Sequence, residues 1–207
     1  MLPINQWVDI FNNNVRIKVF AHEGGSQAPS PENLSVVRQE NFPDDKALRS
    51  TMEENRGWET AEIARRRALG DVCYMVFDGP RCVHYSWVSQ RLLYISELGY
   101  QAELREQNFW IYDSYTSPSH RGRKIFPRLL LRLEEIDLAR RCGILWAGVQ
   151  DDNAPSLNAI SKAGFREAFV LEKTILFPSK KAVRSRRVLN NRLTERFDLL
   201  PSTWTIE

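Results

Sequence analysis

Hydrophobic positions recur along the chain in two periods, and the changes between them mark out its elements. Val15, Ile17 and Val19 alternate with Arg16 and Lys18, which predicts a strand over Val15–Phe20. Residues 1–32 read as a peripheral extension, so this strand is expected at a sheet edge. Gly24–Pro31 is a turn-rich linker, and Leu34–Arg38 a short strand. Asp44 and Asp45 suit a helix start and open a helix to about Glu54. A second helix, roughly Glu59–Leu69, stops at Gly70. The β-rich runs Val72–Phe77 and Arg81–Val88 flank Asp78-Gly79, a hairpin signal. Residues 90–108 hold no clear strand and are long for a connector, which suits a binding surface.

Phe109–Thr116 is aromatic and β-branched and reads as a central strand. Over Ile125–Cys142, Leu129, Leu133 and Ile136 recur at helical spacing, with Leu130 widening the stripe and Gly143 ending it. Ile144–Val149 is a short apolar run, as in a strand covered on both faces. Asp152-Asn153 opens a further helix, capped by Asn153, with Pro155 in its first turn. Gly164 ends it, and two strands follow near Phe165–Leu171 and Thr174–Phe177. From Ser179 the tail reads as basic and irregular. The expected fold class is mixed α/β, one sheet with helices on both faces, over residues 33–178. Residues 1–32 and 179–207 are the extensions.

Composition narrows the field without naming a reaction. The chain has 207 residues, 43% hydrophobic and 27% charged, enough for one full core. Its net charge of +3 is too small to demand nucleic acid. The basic run at 180–187 reads as a solvated surface. No apolar run is long enough to span a bilayer, and MLPINQWVDIF lacks the pattern of a signal peptide. A cytoplasmic protein without a membrane partner is expected. Cys73, Cys82 and Cys142 form no C-x-x-C pair, and the three histidines are scattered, so no metal site is expected. Cys73 and Cys82 are placed to face each other across the hairpin.

The chemistry concentrates where Tyr112-Asp-Ser-Tyr-Thr-Ser-Pro-Ser-His-Arg-Gly-Arg-Lys-Ile-Phe-Pro runs from strand through loop into helix. Backbone N–H groups of such a loop and of a helix's first turn point the same way and cradle phosphate. Pro127 fits only a first turn, which puts the free amides near Arg123–Phe126. Arg121, Arg123 and Lys124 add positive charge. Asp113 is the one acid in an apolar and hydroxylic strand, a candidate base or half of an ion pair with a nearby Arg.

Pro118, Arg121 and Gly122, with Ile125 in an apolar slot and Asn153, Gly164 and Phe165 downstream, resemble the motif of the GNAT superfamily of acyl-CoA-dependent N-acyltransferases. The resemblance covers about residues 33–178 in element order and 109–165 in specific residues. Lys124 and Phe126 replace two motif glycines. Lys124 still offers an amide if its φ is negative, and the Phe126 ring must turn away. Ile160 stands where many relatives carry a tyrosine acid.

The resemblance implies a largely antiparallel mixed sheet with a splayed pair of central strands. It implies acetyl-CoA or another acyl-CoA as co-substrate, no metal, and direct transfer to a small-molecule amine. The thioester carbonyl would be polarised by a backbone amide near Tyr115–Ser117. Preorganised amides of that kind are worth about 3–4 kcal/mol each. Cofactor contacts are then expected at Tyr115, Thr116, Ser117, Arg121, Gly122, Arg123, Lys124, Ile125, Phe126, Asn153 and Ser156. Asp113 is the expected base, with Tyr115, Ser161 and His120 as candidates for the acid. Residues 90–108 and the C-terminal tail are the expected acceptor walls. An acyl-carrier-protein donor, an inert acyl-CoA-binding module, a nucleic-acid binder using the tail, and a homodimer are the alternatives.

Overall fold

The computed structural model describes residues 14–22, 35–38, 46–56, 60–133, 144–176, 181–190 and 203–206. Among them run β1 (Asn14–His22), β2 (Ser35–Arg38), α1 (Lys46–Arg56), α2 (Thr60–Ala68), β3 (Val72–Asp78), β4 (Arg81–Ser89), β5 (Leu92–Ile95) and β6 (Tyr100–Glu103). There follow β7 (Asn108–Thr116), α3 (Ile125–Leu133), β8 (Ile144–Gln150), α4 (Ala154–Lys162), β9 (Arg166–Leu176), β10 (Lys181–Val188) and β11 (Thr203–Ile206). The strands form one sheet in the order β11-β10-β9-β1-β8-β7-β4-β3-β2, with β5 and β6 as a separate hairpin. Neighbours are antiparallel except β7 and β8, which run parallel. This is the expected mixed, largely antiparallel α/β sheet.

Alternation on β3 sorts the layers. Tyr74 and Val76 join a core with Ile125, Leu129, Leu130 and Leu133 of α3 and Ile160 of α4. Cys73, Met75 and Phe77 join Leu48 and Met52 of α1 and Ile63 of α2 on the opposite face. On that same opposite face Trp110, Trp146 and Phe169 are covered by Leu93, Ile95, Leu98 and Tyr100 of the β5–β6 segment. Tyr112 packs against both of these last two clusters and joins them. Each fully buried Leu or Met contributes about 1.5–3 kcal/mol.

Several sequence expectations change here. β1 is an interior strand, paired to β8 by Ile17–His22 and to β9 by Asn14–Ala21, so it is not an edge strand. Its local alternation is compatible with either place, and its partners lie far along the chain. Residues 90–108 do carry strands, β5 and β6, whose inward side chains are core. The two strands expected near 165–177 are one, β9. The described part of the tail is not irregular: Lys181–Val188 and Thr203–Ile206 extend the sheet. Cys73 lies opposite Trp87 and Cys82 opposite Phe77, so the two are not cross-strand partners; both are free thiols. Burial raises both, Cys82 to about 11. Residues 134–142 of the expected long helix, and Cys142 with them, lie outside the described residues.

Candidate active site

The site begins where the one parallel pair comes apart. β7 and β8 are paired only from Asn108–Ile144 to Ile111–Ala147. β7 continues to Thr116 and β8 to Gln150, so beyond Ile111 the strands diverge. The cause lies on the other side of β7. Between Tyr85 and Trp87 the β4–β7 register shifts, so that Ser86 faces two residues of β7. Asp113 there has φ +44°, a left-handed conformation that an Asp tolerates better than most side chains. The bulge bends β7 away from β8.

A buried cation holds the bulge. Arg66 of α2 is 3% exposed, and its Nη1 lies 2.6 Å from Asp113 Oδ2. Its Nε lies 2.7 Å from Glu62 Oε1, and its guanidinium sits 5.1 Å from the ring centres of both Trp87 and Tyr112. Burial opposes the charge of Arg66, but Asp113 and Glu62 outweigh it and raise its pKa. Hydrogen bonds from Arg65 and Arg66 draw Glu62 down to about 2. Asp113 is therefore found in the ion pair weighed from sequence. Its Oδ1 keeps only a long 3.4 Å contact with the Tyr85 hydroxyl.

The strand–loop–helix corner has the expected outline with one change of detail. Pro118–His120 form a single 3-10 turn, Gly122 has φ +78° and Lys124 φ +60°. Lys124 thus takes the left-handed conformation that its replaced glycine would take freely, and the condition set for its amide, a negative φ, is not met. The first helical bond runs from Arg128 N to Lys124 O. Among the described residues, no acceptor engages the amides of Gly122, Arg123, Lys124, Ile125 or Phe126. The Phe126 ring turns toward the core and lies 5.5 Å from the ring of His84. Arg121 Nε donates to Thr116 O at 3.1 Å, and its guanidinium lies over Tyr115.

These parts enclose a groove of about 720 Å³ running from the β7–β8 divergence to the start of α3. Asp113, Tyr115, Thr116, Arg121, Gly122, Lys124, Ile125, Phe126, Asn153 and Ser156 all line it. Ser117 and Arg123 do not. Ser117 is fully buried, its amide donates to Val83 O and its hydroxyl to Glu54, so it cannot polarise a ligand. The Ser156 amide donates to Asn153 Oδ1 at 3.2 Å, the cap of α4. His120 pairs with Asp78 at 3.1 Å. Ser161, the remaining candidate acid, is exposed on α4 and is not among the lining residues.

Sequence reasoning missed a polar chain behind the groove. His84 Nδ1 lies 2.7 Å from Thr116 Oγ1 and its Nε2 3.0 Å from Ser86 Oγ, which lies 2.8 Å from Ser114 Oγ. Burial pushes the His84 imidazole down to about 3. A second cavity, of about 350 Å³, opens on the opposite face of β7. It is lined by Asp71, Arg91, Tyr94, Gln101, Trp110 and Tyr112 among others, and Tyr112 also lines the groove. The Tyr112 hydroxyl donates to Asp71 Oδ2 at 2.5 Å. Burial first, then that carboxylate, raises its pKa. The buried indole N–H of Trp110 has no partner among the described residues.

The model of the acetyltransferase (GNAT) family matches residues 45–165, from α1 to the end of α4. The chain belongs to the GNAT acetyltransferase family. No curated protein matches the sequence. A GNAT-family acetyltransferase from Colwellia psychrerythraea shares the fold at 13% identity and a TM-score of 0.52, over 80% of this chain and 59% of that one. A GCN5-related N-acetyltransferase from Sphaerobacter thermophilus does so at 14% identity and 0.57, over 89% and 55%. The chain thus spans between half and two thirds of those two proteins. The GNAT match includes every groove residue named above. It excludes β2 at one edge, and β1, β9, β10 and β11, which widen the sheet beyond the divergence. Among the described residues no helix is long and apolar enough to cross a membrane, and no cluster of His, Cys, Asp and Glu could hold a metal.

Proposed function

We propose that this GNAT domain moves an acetyl or other short acyl group from coenzyme A to the amine of a small-molecule acceptor, by direct attack. The observation that carries the reading is the run of unengaged amides from Gly122 to Phe126, at the mouth of a groove that continues to the divergent strands. The amides of Gly122, Ile125 and Phe126, in a tight turn and a helix start that line the groove, suit a diphosphate, and Arg121 and Lys124 add charge beside them. Tyr115 and Thr116 would flank the pantetheine arm. The thioester would lie where β7 leaves β8, past the last parallel pair at Ile111–Ala147.

The acceptor would come from the other face, through the cavity that shares Tyr112. Asp71 stands in that cavity with Arg65 and Arg91, and β5 and β6 supply the wall expected of residues 90–108. The C-terminal strands contribute none of its described lining. The amine must lose a proton, at about 1.4 kcal/mol for each unit of pKa above the working pH. Asp113, in the groove with Oδ1 unclaimed by Arg66, is the proposed base.

Two measurements test this. Coenzyme A should raise the melting temperature, and Lys124→Glu should abolish the rise. Acetyl-CoA with a panel of primary amines should release thiol, and Asp113→Asn should lower kcat while leaving the KM for acetyl-CoA nearly unchanged. No shift at millimolar coenzyme A would refute the binding site. A shift without thiol release would leave an inert binding module.

A further inference from the structure

The reaction proposed above needs a proton for the departing sulfur. Ile160 lines the groove and has no proton to give. Ser114, the second residue of the bulge, is exposed in the same groove and belongs to the polar chain through Ser86 and His84 to Thr116. We infer that Ser114 protonates the departing thiolate and that Ser86, His84 and Thr116 reload it through a relay in which no member becomes an ion.

The register builds this relay. β4 and β7 place His84 opposite Thr116, and the shift at Ser86 brings its hydroxyl onto Ser114. The middle is nearly sealed: His84, though it borders the groove, is 1% exposed and Ser86 0%. Both ends are in the groove, since Thr116 lines it too. A neutral imidazole has one N–H and one lone pair. Its chain of hydroxyls therefore points one way at a time and is equally well bonded either way. With the proton on Nε2, His84 donates to Ser86, Ser86 to Ser114, and the Ser114 proton faces the groove, while Thr116 donates to Nδ1.

In the step, the acceptor nitrogen forms a C–N bond and the C–S bond breaks, its electron pair going to sulfur. Sulfur takes the Ser114 proton. Ser114 is refilled by Ser86, Ser86 by Nε2, Nδ1 by Thr116, and Thr116 by groove water. The proton lost by the amine passes through Asp113 to solvent, so the count closes. The imidazole ends as the other tautomer, and water touching both groove ends returns it between turnovers. A buried imidazolium, whose cost the low basicity of His84 expresses, never forms.

This inference rests on the acyl-transfer reading, so its test has a part without coenzyme A. In the ligand-free full chain labelled with 15N-histidine, His84 should be neutral at pH 7 with its proton shared between Nε2 and Nδ1. Ser86→Ala should shift the proton toward Nδ1. A cationic ring, or a tautomer balance indifferent to Ser86→Ala, would overturn the relay while leaving the acyltransferase reading intact. With acetyl-CoA and a primary amine that releases thiol, Ser114→Ala and Ser86→Ala should each lower kcat about 10²-fold, as loss of an acid does. Their KM for acetyl-CoA should stay within about threefold. The wild-type proton inventory should be bowed, from several protons in flight, and Ser86→Ala should straighten it. Ser86 touches no substrate, so a merely structural role would not move that curve. Wild-type kcat in Ser114→Ala, or its loss only in Tyr115→Phe, would assign the acid elsewhere.

Discussion

Arg66 is the residue on which the divergence of β7 from β8 depends, and replacing it by Met measures how much. The side chain is nearly sealed, with Asp113 and Glu62 within 2.7 Å and two aromatic rings at 5.1 Å. Met keeps much of the volume but leaves the Asp113 carboxylate, whose side chain is 12% exposed, without its cation. Breaking a buried pair in this way costs about 3–5 kcal/mol, and the two ring contacts add about 1 kcal/mol. The sum, about 4–6 kcal/mol, corresponds to a fall of roughly 8–24 °C in Tm at this size. Urea unfolding, with an unchanged m-value, is the assay. The decisive comparison is with Arg66→Met/Asp113→Asn. If the penalty is the stranded carboxylate, the double variant should regain about 1–3 kcal/mol over the sum of the single costs. A loss below 1 kcal/mol in Arg66→Met, or strict additivity, would refute the claim that this ion pair holds the bulge.

Lys124→Gly should stabilise the fold by about 0.5–1 kcal/mol, because φ +60° costs an L-residue roughly 1–2 kcal/mol and glycine returns part of that in entropy; thermal unfolding checks it, and coenzyme A binding should become less sensitive to salt as one cation is lost. Gly148→Ala should destabilise by about 1–3 kcal/mol, since a Cβ there would sit 2.7 Å from the ring of Trp110, and chemical denaturation reads the loss. Stability should fall on acidification from about pH 6.5: an unfolded His84 takes a proton there, the folded one only near pH 3, so the unfolded state binds more protons in between. Glu62, drawn down to about 2, adds to the loss below about pH 4.5. His84→Gln should remove up to 1.4 kcal/mol per pH unit of that slope between 6.5 and 3, seen in urea midpoints taken across pH.

What could be read from sequence was local. The loop at Pro118–Lys124, the cap at Asn153 and the hairpin at Asp78-Gly79 each announce themselves within a few residues. The rest depends on partners distant along the chain. Asp113 could be suspected of an ion pair, but Arg65, Arg66 and Arg67 are adjacent, and only the packing of α2 turns one of them inward. His84 looked solitary because the chain that uses it is assembled by cross-strand register, opposite Thr116. β10 was obscured by its own charges, since Lys181, Arg184, Arg186 and Arg187 mask a strand pattern. The divergence of β7 and β8 follows from a bulge whose cause lies on α2, two elements removed from any motif.

The place of β1 bears on how the protein is made. It leaves the ribosome before either of its neighbours, and more than a hundred residues separate it from β8. At roughly 5–20 residues per second, it waits on the order of ten seconds for that strand, and longer for β9. During the wait Ile17, Val19 and Ala21 have no sheet to cover them. The nascent chain therefore carries an unsatisfied β-segment through most of its synthesis, a natural ligand for a holding chaperone, and the sheet closes around it only once the α4 crossover has been translated.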